Sequence, residues 1–166
     1  MNKNFFEITN ATFKVGGVNK VNNVSFSIEK EGDIICLLGP SGIGKTTILR
    51  SIAGLEKIDS GSIMLNGKIL SSNKINVEPE DRSISLSFQE NSLFPHYTVE
   101  KNILLGKERK NSGKKKKLNI NKIIKLLNIN KILNHYPHQI SAGEAQRASL
   151  AISLISQPDL LLLDEP

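Results

Sequence analysis

The sequence has one cysteine, no tryptophan and no long apolar segment. A single cysteine cannot form an internal disulfide, and Cys36 lies within an apolar run, so we expect a buried thiol in a reducing compartment. The opening "MNKNFFEI" lacks the apolar region of a signal peptide. No uncharged apolar stretch reaches the roughly 18 residues that a membrane span needs. These absences predict a cytoplasmic chain that is soluble by itself.

Positive charge is in moderate excess. The 166 residues include 22 Lys and Arg against 16 Asp and Glu, a formal charge of +6. Much of the excess lies in "KERKNSGKKKK", residues 107–117, which has no apolar anchor. A solvated loop is the simplest interpretation of such a run, and contact with nucleic acid or anionic lipid is the alternative. The 39% hydrophobic content is enough for one compact domain.

The clearest motif follows an apolar run. "IICLLG", residues 34–39, is typical of a strand buried on both faces of a parallel sheet. The following "GPSGIGKTT", residues 39–47, fits the pattern G-x-x-x-x-G-K-[ST], and "ILRSIAGL" continues with helical spacing. A phosphate-binding loop (P-loop) between a strand and a helix is therefore predicted.

The chemistry of phosphate binding explains this spacing. Glycines let the backbone fold so that successive N–H groups and the helix N-terminus converge on negative charge. Lys45 adds a cation near the terminal phosphates, and the Thr46 hydroxyl is a ligand for Mg²⁺. The predicted nucleotide contacts are Gly39, Pro40, Ser41, Gly42, Ile43, Gly44, Lys45, Thr46 and Thr47.

A second pair of functional residues ends the sequence. "LLLLDEP" predicts another buried strand, with Asp164 and Glu165 at its carboxyl end, where ligands bind in open α/β sheets. We expect Asp164 to hold Mg²⁺, usually through water, and Glu165 to orient or deprotonate the attacking water. Many P-loop proteins share these two motifs, including kinases, GTPases, helicases and recombinases.

The stretch "ISAGEAQR", residues 140–147, decides among those classes. Ser141 and Glu144 form a capping-box pattern, and an apolar face follows at helical spacing: Ala145, Ala148, Ala151, Ile152 and Ile155. A helix N-terminus flanked by Ser141 and Gly143 is also a ready anion site. The stretch resembles the LSGGQ signature of the ATP-binding cassette (ABC) family.

In that family two cassettes pair head to tail, and each signature covers the ATP held by the other's P-loop. The resemblance therefore implies that residues Ser141, Ala142, Gly143 and Glu144 contact the ATP of a second cassette. Ala142 replaces the usual first glycine and Glu144 the usual glutamine. Since a carboxylate would be repelled by a γ-phosphate, Glu144 is expected to cap its own helix. Contact then depends on Ser141, Gly143 and backbone N–H groups.

Other segments match the family in order. "GLEKIDSGSIMLNGK" is similar to its link into a β-hairpin, and "SLSFQENSLFPHYTVEKNILLG" to the Q-loop and the permease-docking segment beyond it. The resemblance gives Gln89 a catalytic role, reaching Mg²⁺ and water. The family's adenine-stacking aromatic aligns with Val15, and Phe13 could replace it only with a local shift.

The resemblance implies an α/β P-loop NTPase, with a RecA-like core, an N-terminal antiparallel β part and an inserted helical subdomain. We expect a nucleotide-binding lobe (1–88), a helical part with Q-loop and signature (89–157) and a Walker B strand (158–166). The family continues with a D-loop, more core strands and a switch histidine, so this sequence resembles a cassette incomplete at its C-terminus. Alone it is expected to show little ATPase activity, and His135 and His138 are expected in a surface loop.

The implied function is ATP hydrolysis that drives import. "FQENSLFPHYTVEKN" is most similar to cassettes of importers for iron(III), polyamines, thiamine or inorganic anions. Expected cofactors are ATP and Mg²⁺. Expected partners are a second cassette, an integral permease and an extracytoplasmic substrate-binding protein. The permease would hold the chain at the inner face of the plasma membrane. The alternatives are a soluble ABC ATPase acting on nucleic acid, or a nucleotide-binding module without turnover. No nucleic acid is expected, because the region between Gln89 and Ser141 has no long coiled-coil insertion.

Overall fold

The computed structural model describes residues 4–15, 19–87, 93–107 and 119–164. The chain forms two compact units, Met1–Arg82 and Ser83–Pro166. In the described part, no helix combines the length and apolar character needed to cross a membrane. The predicted segment boundaries at 88 and 157 stay a prediction.

An antiparallel sheet is the main feature of the first unit. Its strands are β1 (Phe6–Val15), β2 (Asn19–Ile28), β3 (Ser60–Leu65) and β4 (Lys68–Ser72), in the spatial order β2-β1-β3-β4. β3 and β4 pair antiparallel across a two-residue turn, residues 66–67, in which both residues have positive φ. This geometry is favoured in tight hairpins because it matches the twist of the strands. The predicted β-hairpin is confirmed.

The core of the first unit lies between this sheet and helix α1 (Lys45–Ala53). The helix directs Ile48, Ile52 and Ala53 inward, at the spacing of one helical face. The buried apolar side chains of the strands are Phe6, Ile8, Ala11, Phe13, Ile28, Ile63, Leu65 and Leu70.

The apolar run at residues 34–39 is not the buried strand that its composition predicts. No regular structure forms there, and the side chains of Ile34 and Leu38 are 90% and 92% exposed. Cys36 is exposed as well, so the prediction of a buried thiol is wrong. The physical reason is that a strand needs a hydrogen-bonded neighbour, and no strand of the described residues pairs with this run.

The second unit contains a short parallel sheet and several helices. β5 (Ile84–Ser87) pairs in parallel with β6 (Leu160–Leu163), so the predicted strand before Asp164 is confirmed. Burial varies along β6: Leu162 is buried, Leu160 and Leu161 are partly buried, and Leu163 is 38% exposed. The helices are α2 (Val99–Lys107), α3 (Ile120–Leu126) and α4 (Ala142–Ile155).

The helices of the second unit bury one continuous apolar cluster. α4 packs against α2, α3 and β5, and its small side chains allow close approach. The predicted apolar face of α4 is confirmed, with Ile152 partly buried and the other four residues buried. The cluster consists of Leu93, Val99, Ile103, Ile123, Ile124, Ile129, Ile132, Ala145, Ala148, Ala151 and Ile155. Short 3₁₀ turns are formed by Pro79–Asp81, Asn130–Ile132 and Pro137–Gln139.

Candidate functional site

The P-loop ends in a tight turn at the start of α1. Gly42 has φ 77° and Gly44, the N-cap residue, has φ 107°. Backbone in this region costs a residue with a side chain roughly 1–2 kcal/mol, so the turn requires glycine. Gly44 is buried, whereas Ser41, Gly42 and Ile43 are exposed. The loop therefore presents its backbone at the surface.

Lys45 folds back over this loop. Its ammonium donates hydrogen bonds to the carbonyl oxygens of Gly39, at 2.8 Å, and Pro40, at 2.9 Å. The first turn of α1 contains no acidic residue. Gly44 is the N-cap residue, and among the described residues no side chain accepts a hydrogen bond that would cap this helix start. A helix N-terminus carries partial positive charge. The cation, the helix end and the glycine turn together fit a phosphate group.

A metal ion at this loop would depend on few protein ligands. No cluster of three or more His, Cys, Asp or Glu side chains that could hold a metal occurs in the part of the chain that the structure describes. Mg²⁺ is commonly held by one or two protein oxygens together with substrate phosphates and water. Thr46 is an exposed residue in the first turn of α1, and a threonine hydroxyl there fits that manner of binding.

Asp164 lies at the carboxyl end of the parallel pair. Its backbone N–H donates to the Ser87 carbonyl oxygen at 3.1 Å, which continues the ladder by one residue. The residue is 8% exposed. Parallel strands place their carboxyl ends at one edge of a sheet, where ligands bind. Gln89 and Glu165 follow β5 and β6 in the sequence, and both lie outside the described residues.

Helix α4 begins with the predicted capping box. The Ser141 hydroxyl accepts a hydrogen bond from the Glu144 N–H at 3.4 Å. In return, one oxygen of the Glu144 carboxylate accepts from the Ser141 N–H at 2.9 Å and from the Ser141 hydroxyl at 2.8 Å. The bond from the Ser141 backbone, and then that from its side chain, lower the pKa of Glu144. The expectation that Glu144 caps its own helix is confirmed.

The signature is accessible beside that cap. Ser141, Ala142 and Gly143 are exposed. A side chain at Gly143 would meet Arg147 Nη1 at 3.6 Å, an ordinary contact distance, so the site is not sterically closed. The P-loop belongs to the first unit, and the signature and Asp164 belong to the second.

The two candidates for the adenine contact are Val15 and Phe13. Phe13 is fully buried, so its ring is not presented at the surface. Val15 is the last residue of β1, and its side chain lies outside the described part. His135 and His138 are both exposed, as expected for a surface loop.

Asn102 is a residue that sequence reasoning did not select. It is 1% exposed, and its Oδ1 accepts from the Phe94 N–H at 2.7 Å. Its Nδ2 donates to the carbonyl oxygens of Phe94, Tyr97 and Thr98 at 3.0–3.2 Å. Asn102 thereby fixes an exposed aromatic turn, in which Lys101 Nζ lies 3.9 Å from the centre of the Tyr97 ring. A polar residue on the inner face of an apolar helix is the signal that could have found it.

Curated relatives with similar sequences are named as ATP-binding proteins of import or transport. The chain is 42% identical over 160 residues to a probable sulfate/thiosulfate import ATP-binding protein of Chlorella vulgaris. It is 41% identical to a spermidine/putrescine import ATP-binding protein of Nitrosospira multiformis and 44% identical to a putrescine transport ATP-binding protein of Escherichia coli, each over 161 residues. The matches cover 96% of this chain and 66%, 43% and 41% of those proteins.

Solved structures with the same fold are ATP-binding cassettes. The cassette MJ0796, solved as a dimer in a post-hydrolysis state bound to ADP and Pi, is 27% identical, with a TM-score of 0.75. That match covers 97% of this chain and 74% of the solved one. A nucleotide-free cassette with 23% identity and a TM-score of 0.78 has the same fold over 99% of this chain and 70% of its own. The predicted α/β P-loop NTPase fold is confirmed.

The sequence model of the ABC transporter family matches residues 21–166, which include the P-loop, the signature and Asp164. The chain therefore belongs to the ABC transporter family.

Proposed function

We propose that this chain is the ATP-binding subunit of an importer, and that it binds and hydrolyses ATP with Mg²⁺. One observation carries the proposal: a glycine turn at the start of α1, with the Lys45 ammonium folded over it, in a chain of this family. Such a turn concentrates N–H dipoles and a cation on one anion.

Each of several residues has a separate role in the proposed hydrolysis. In this proposal Lys45 neutralises the terminal phosphates, and Thr46 and Asp164 are the residues that would hold Mg²⁺ through oxygen atoms. Gln89 orients the attacking water near the metal, and Glu165 accepts its proton. Bound Mg²⁺ supplies electrostatic stabilisation of the phosphate oxygens. The backbone of residues 39–47 holds the triphosphate in place.

A second cassette completes the site in this proposal. Ser141 and Gly143 are exposed at the start of α4, where backbone N–H groups favour an anion. MJ0796, a relative in fold, was solved as a dimer. We assign Ser141, Ala142 and Gly143 to the ATP of a second cassette, with Glu144 retained in its cap.

Coupling to transport is proposed through the exposed aromatic turn, residues 94–98. Phe94 is 52% exposed, and Asn102 holds the turn in a defined shape, so it can receive a permease. Three relatives of similar identity carry names with different cargoes: sulfate/thiosulfate, spermidine/putrescine and putrescine. The cargo is therefore assigned to the permease and a substrate-binding protein, and the chain to the inner face of the membrane.

Lys45→Ala tests the central part of the proposal. Removing one charged hydrogen-bond partner of a phosphate should weaken ATP–Mg²⁺ binding roughly 10- to 100-fold. Lys68→Ala is the matched control, because it removes the same charge from an exposed position in β4. Isothermal titration of both variants measures the change. Equal affinity of Lys45→Ala and the unmodified chain would refute nucleotide binding at this loop.

A further inference from the structure

Arg82 is a buried cation at the end of the first unit. It is 5% exposed and follows the 3₁₀ turn Pro79–Asp81. Its guanidinium donates to the carboxyl end of α1, to β4 and to the connection that follows β4. The acceptors are Ser51 O at 3.0 Å, Ile52 O at 2.8 Å, Leu70 O at 3.2 Å, Ser71 Oγ at 2.8 Å, Asn76 Oδ1 at 3.2 Å and Val77 O at 2.8 Å.

These six acceptors are all neutral oxygens. Burial lowers the pKa of the Arg82 guanidinium, while the nearby Glu78 carboxylate raises it. An arginine remains charged even so, because the ordinary pKa of a guanidinium lies far above neutral pH. The carbonyls of Ser51 and Ile52 belong to the last turn of α1, and the carboxyl end of a helix carries partial negative charge. Arg82 therefore stabilises one particular placement of this helix end.

The packing at Gly54 makes the contact specific. Gly54 ends α1 with φ 90°, and its N–H donates to the carbonyls of Arg50 and Ser51. A Cβ atom at Gly54 would lie 2.6 Å from Arg82 Nε and 2.8 Å from Cζ. The guanidinium thus occupies the space of a side chain at Gly54, so its position is set by the helix end as well as by its hydrogen bonds.

We propose that Arg82 is a positioning residue for the P-loop. This proposal rests on the function proposed above, ATP binding at residues 39–47. α1 has only nine residues, about 13 Å of helix, with Lys45 and Thr46 at one end and the Arg82 contacts at the other. A short helix moves as a rigid body, so release of its carboxyl end tilts its amino end. Arg82 acts through the helix and does not touch the nucleotide.

Arg82→Lys is the main test, because lysine keeps the charge but not the planar fork of donors. At a temperature where circular dichroism shows a fully folded variant, we expect ATP–Mg²⁺ affinity to fall roughly 10-fold or more, since misplacements near 1 Å have effects of this order. Hydrogen exchange of the α1 amides should also become faster. Arg50→Lys is the matched control: Arg50 lies in the same helix, and its ion pair with Glu56 is partly exposed. The ATP–Mg²⁺ affinity of Arg50→Lys should equal that of the unmodified chain.

Gly54→Ala tests the same contact from the other side. The added methyl group should displace the guanidinium and lower ATP affinity, and in an Arg82→Met background the further loss should be smaller. If Arg82→Lys does not fold, the ATP affinity of Gly54→Ala alone tests whether Arg82 positions the P-loop. Folded variants that bind ATP as tightly as the unmodified chain would overturn the positioning role. An unmodified chain that binds no ATP would instead overturn the proposed function.

Discussion

Helices α1 and α4 begin in opposite ways. α1 follows Gly44, has no acidic residue in its first turn and receives no side-chain cap from the described residues. α4 follows Ser141, and Glu144 in its first turn closes a reciprocal capping box. Lys45 places a positive charge at the first start, whereas Glu144 places a negative charge at the second.

The difference indicates which helix start is available to an outside anion. Both starts concentrate the partial positive charge of backbone N–H groups. At α4 a carboxylate of the same chain already neutralises much of it, with three hydrogen bonds between Ser141 and Glu144. At α1 an ammonium adds to it. We therefore assign tight phosphate binding to α1, and to α4 a weaker contact that requires a second molecule.

The largest expected effect comes from giving α1 the acidic residue that α4 has. Thr47 occupies the third helical position of α1, as Glu144 does in α4. Thr47→Glu should stabilise the helix start yet lower ATP–Mg²⁺ affinity by at least about 100-fold, because like charges a few ångströms apart repel by several kcal/mol near a protein surface. Titration calorimetry measures the loss.

Thr47→Gln is the control for size. It has nearly the shape of glutamate but no charge, so its ATP affinity should stay much closer to that of the unmodified chain. A similar loss in both variants would mean that space, and not charge, limits the loop. Unchanged ATP affinity in Thr47→Glu would show that an acidic residue in the first turn does not exclude an outside anion, which is the difference inferred between the two helix starts.

Glu144→Gln is expected to have a smaller effect, and on folding stability. Glutamine preserves the capping-box pattern, so the variant should fold with a modest loss of stability at neutral pH. The pKa of Glu144 is lowered in the folded chain. Its charged form therefore stabilises the fold above the ordinary glutamate pKa, and this contribution is lost as the pH falls through the lowered value.

The difference between the two unfolding curves isolates that contribution. Urea unfolding followed by circular dichroism, for the unmodified chain and Glu144→Gln across acidic pH, removes the effect of the other carboxylates by subtraction. The stability difference should shrink as the pH falls below the ordinary glutamate range. A difference that is constant with pH would show that the Glu144 charge does not stabilise the start of α4.

Local patterns in the sequence predicted the two helix starts well. Each helix start depends on residues that are close together in the sequence, so neighbouring sequence determines its geometry. These residues are Gly39, Gly44 and Lys45 for α1, and Ser141 and Glu144 for α4. The hairpin of β3 and β4 was predicted from the family resemblance. The family resemblance extended this success to the fold.

Features that depend on distant partners were missed. The run at residues 34–39 has the composition of a buried strand, but pairing depends on a neighbour that its own sequence does not reveal. Arg82 binds oxygens up to 31 positions away, and Asn102 fixes a turn that precedes its helix. The sequence pattern could mark Asn102 as a polar residue on an apolar helix face, but the partners of Asn102 and Arg82 become visible only when the chain is folded.

The most direct test of the account is to see which helix start responds to ATP. In a ¹⁵N-labelled chain held at a concentration too low for pairing, ATP–Mg²⁺ should shift the amide signals of Gly42, Gly44 and Lys45. The signals of Gly143 and Glu144 should stay in place. Shifts at Gly143 and Glu144 with none at the start of α1 would contradict the assignment of the phosphate site to α1.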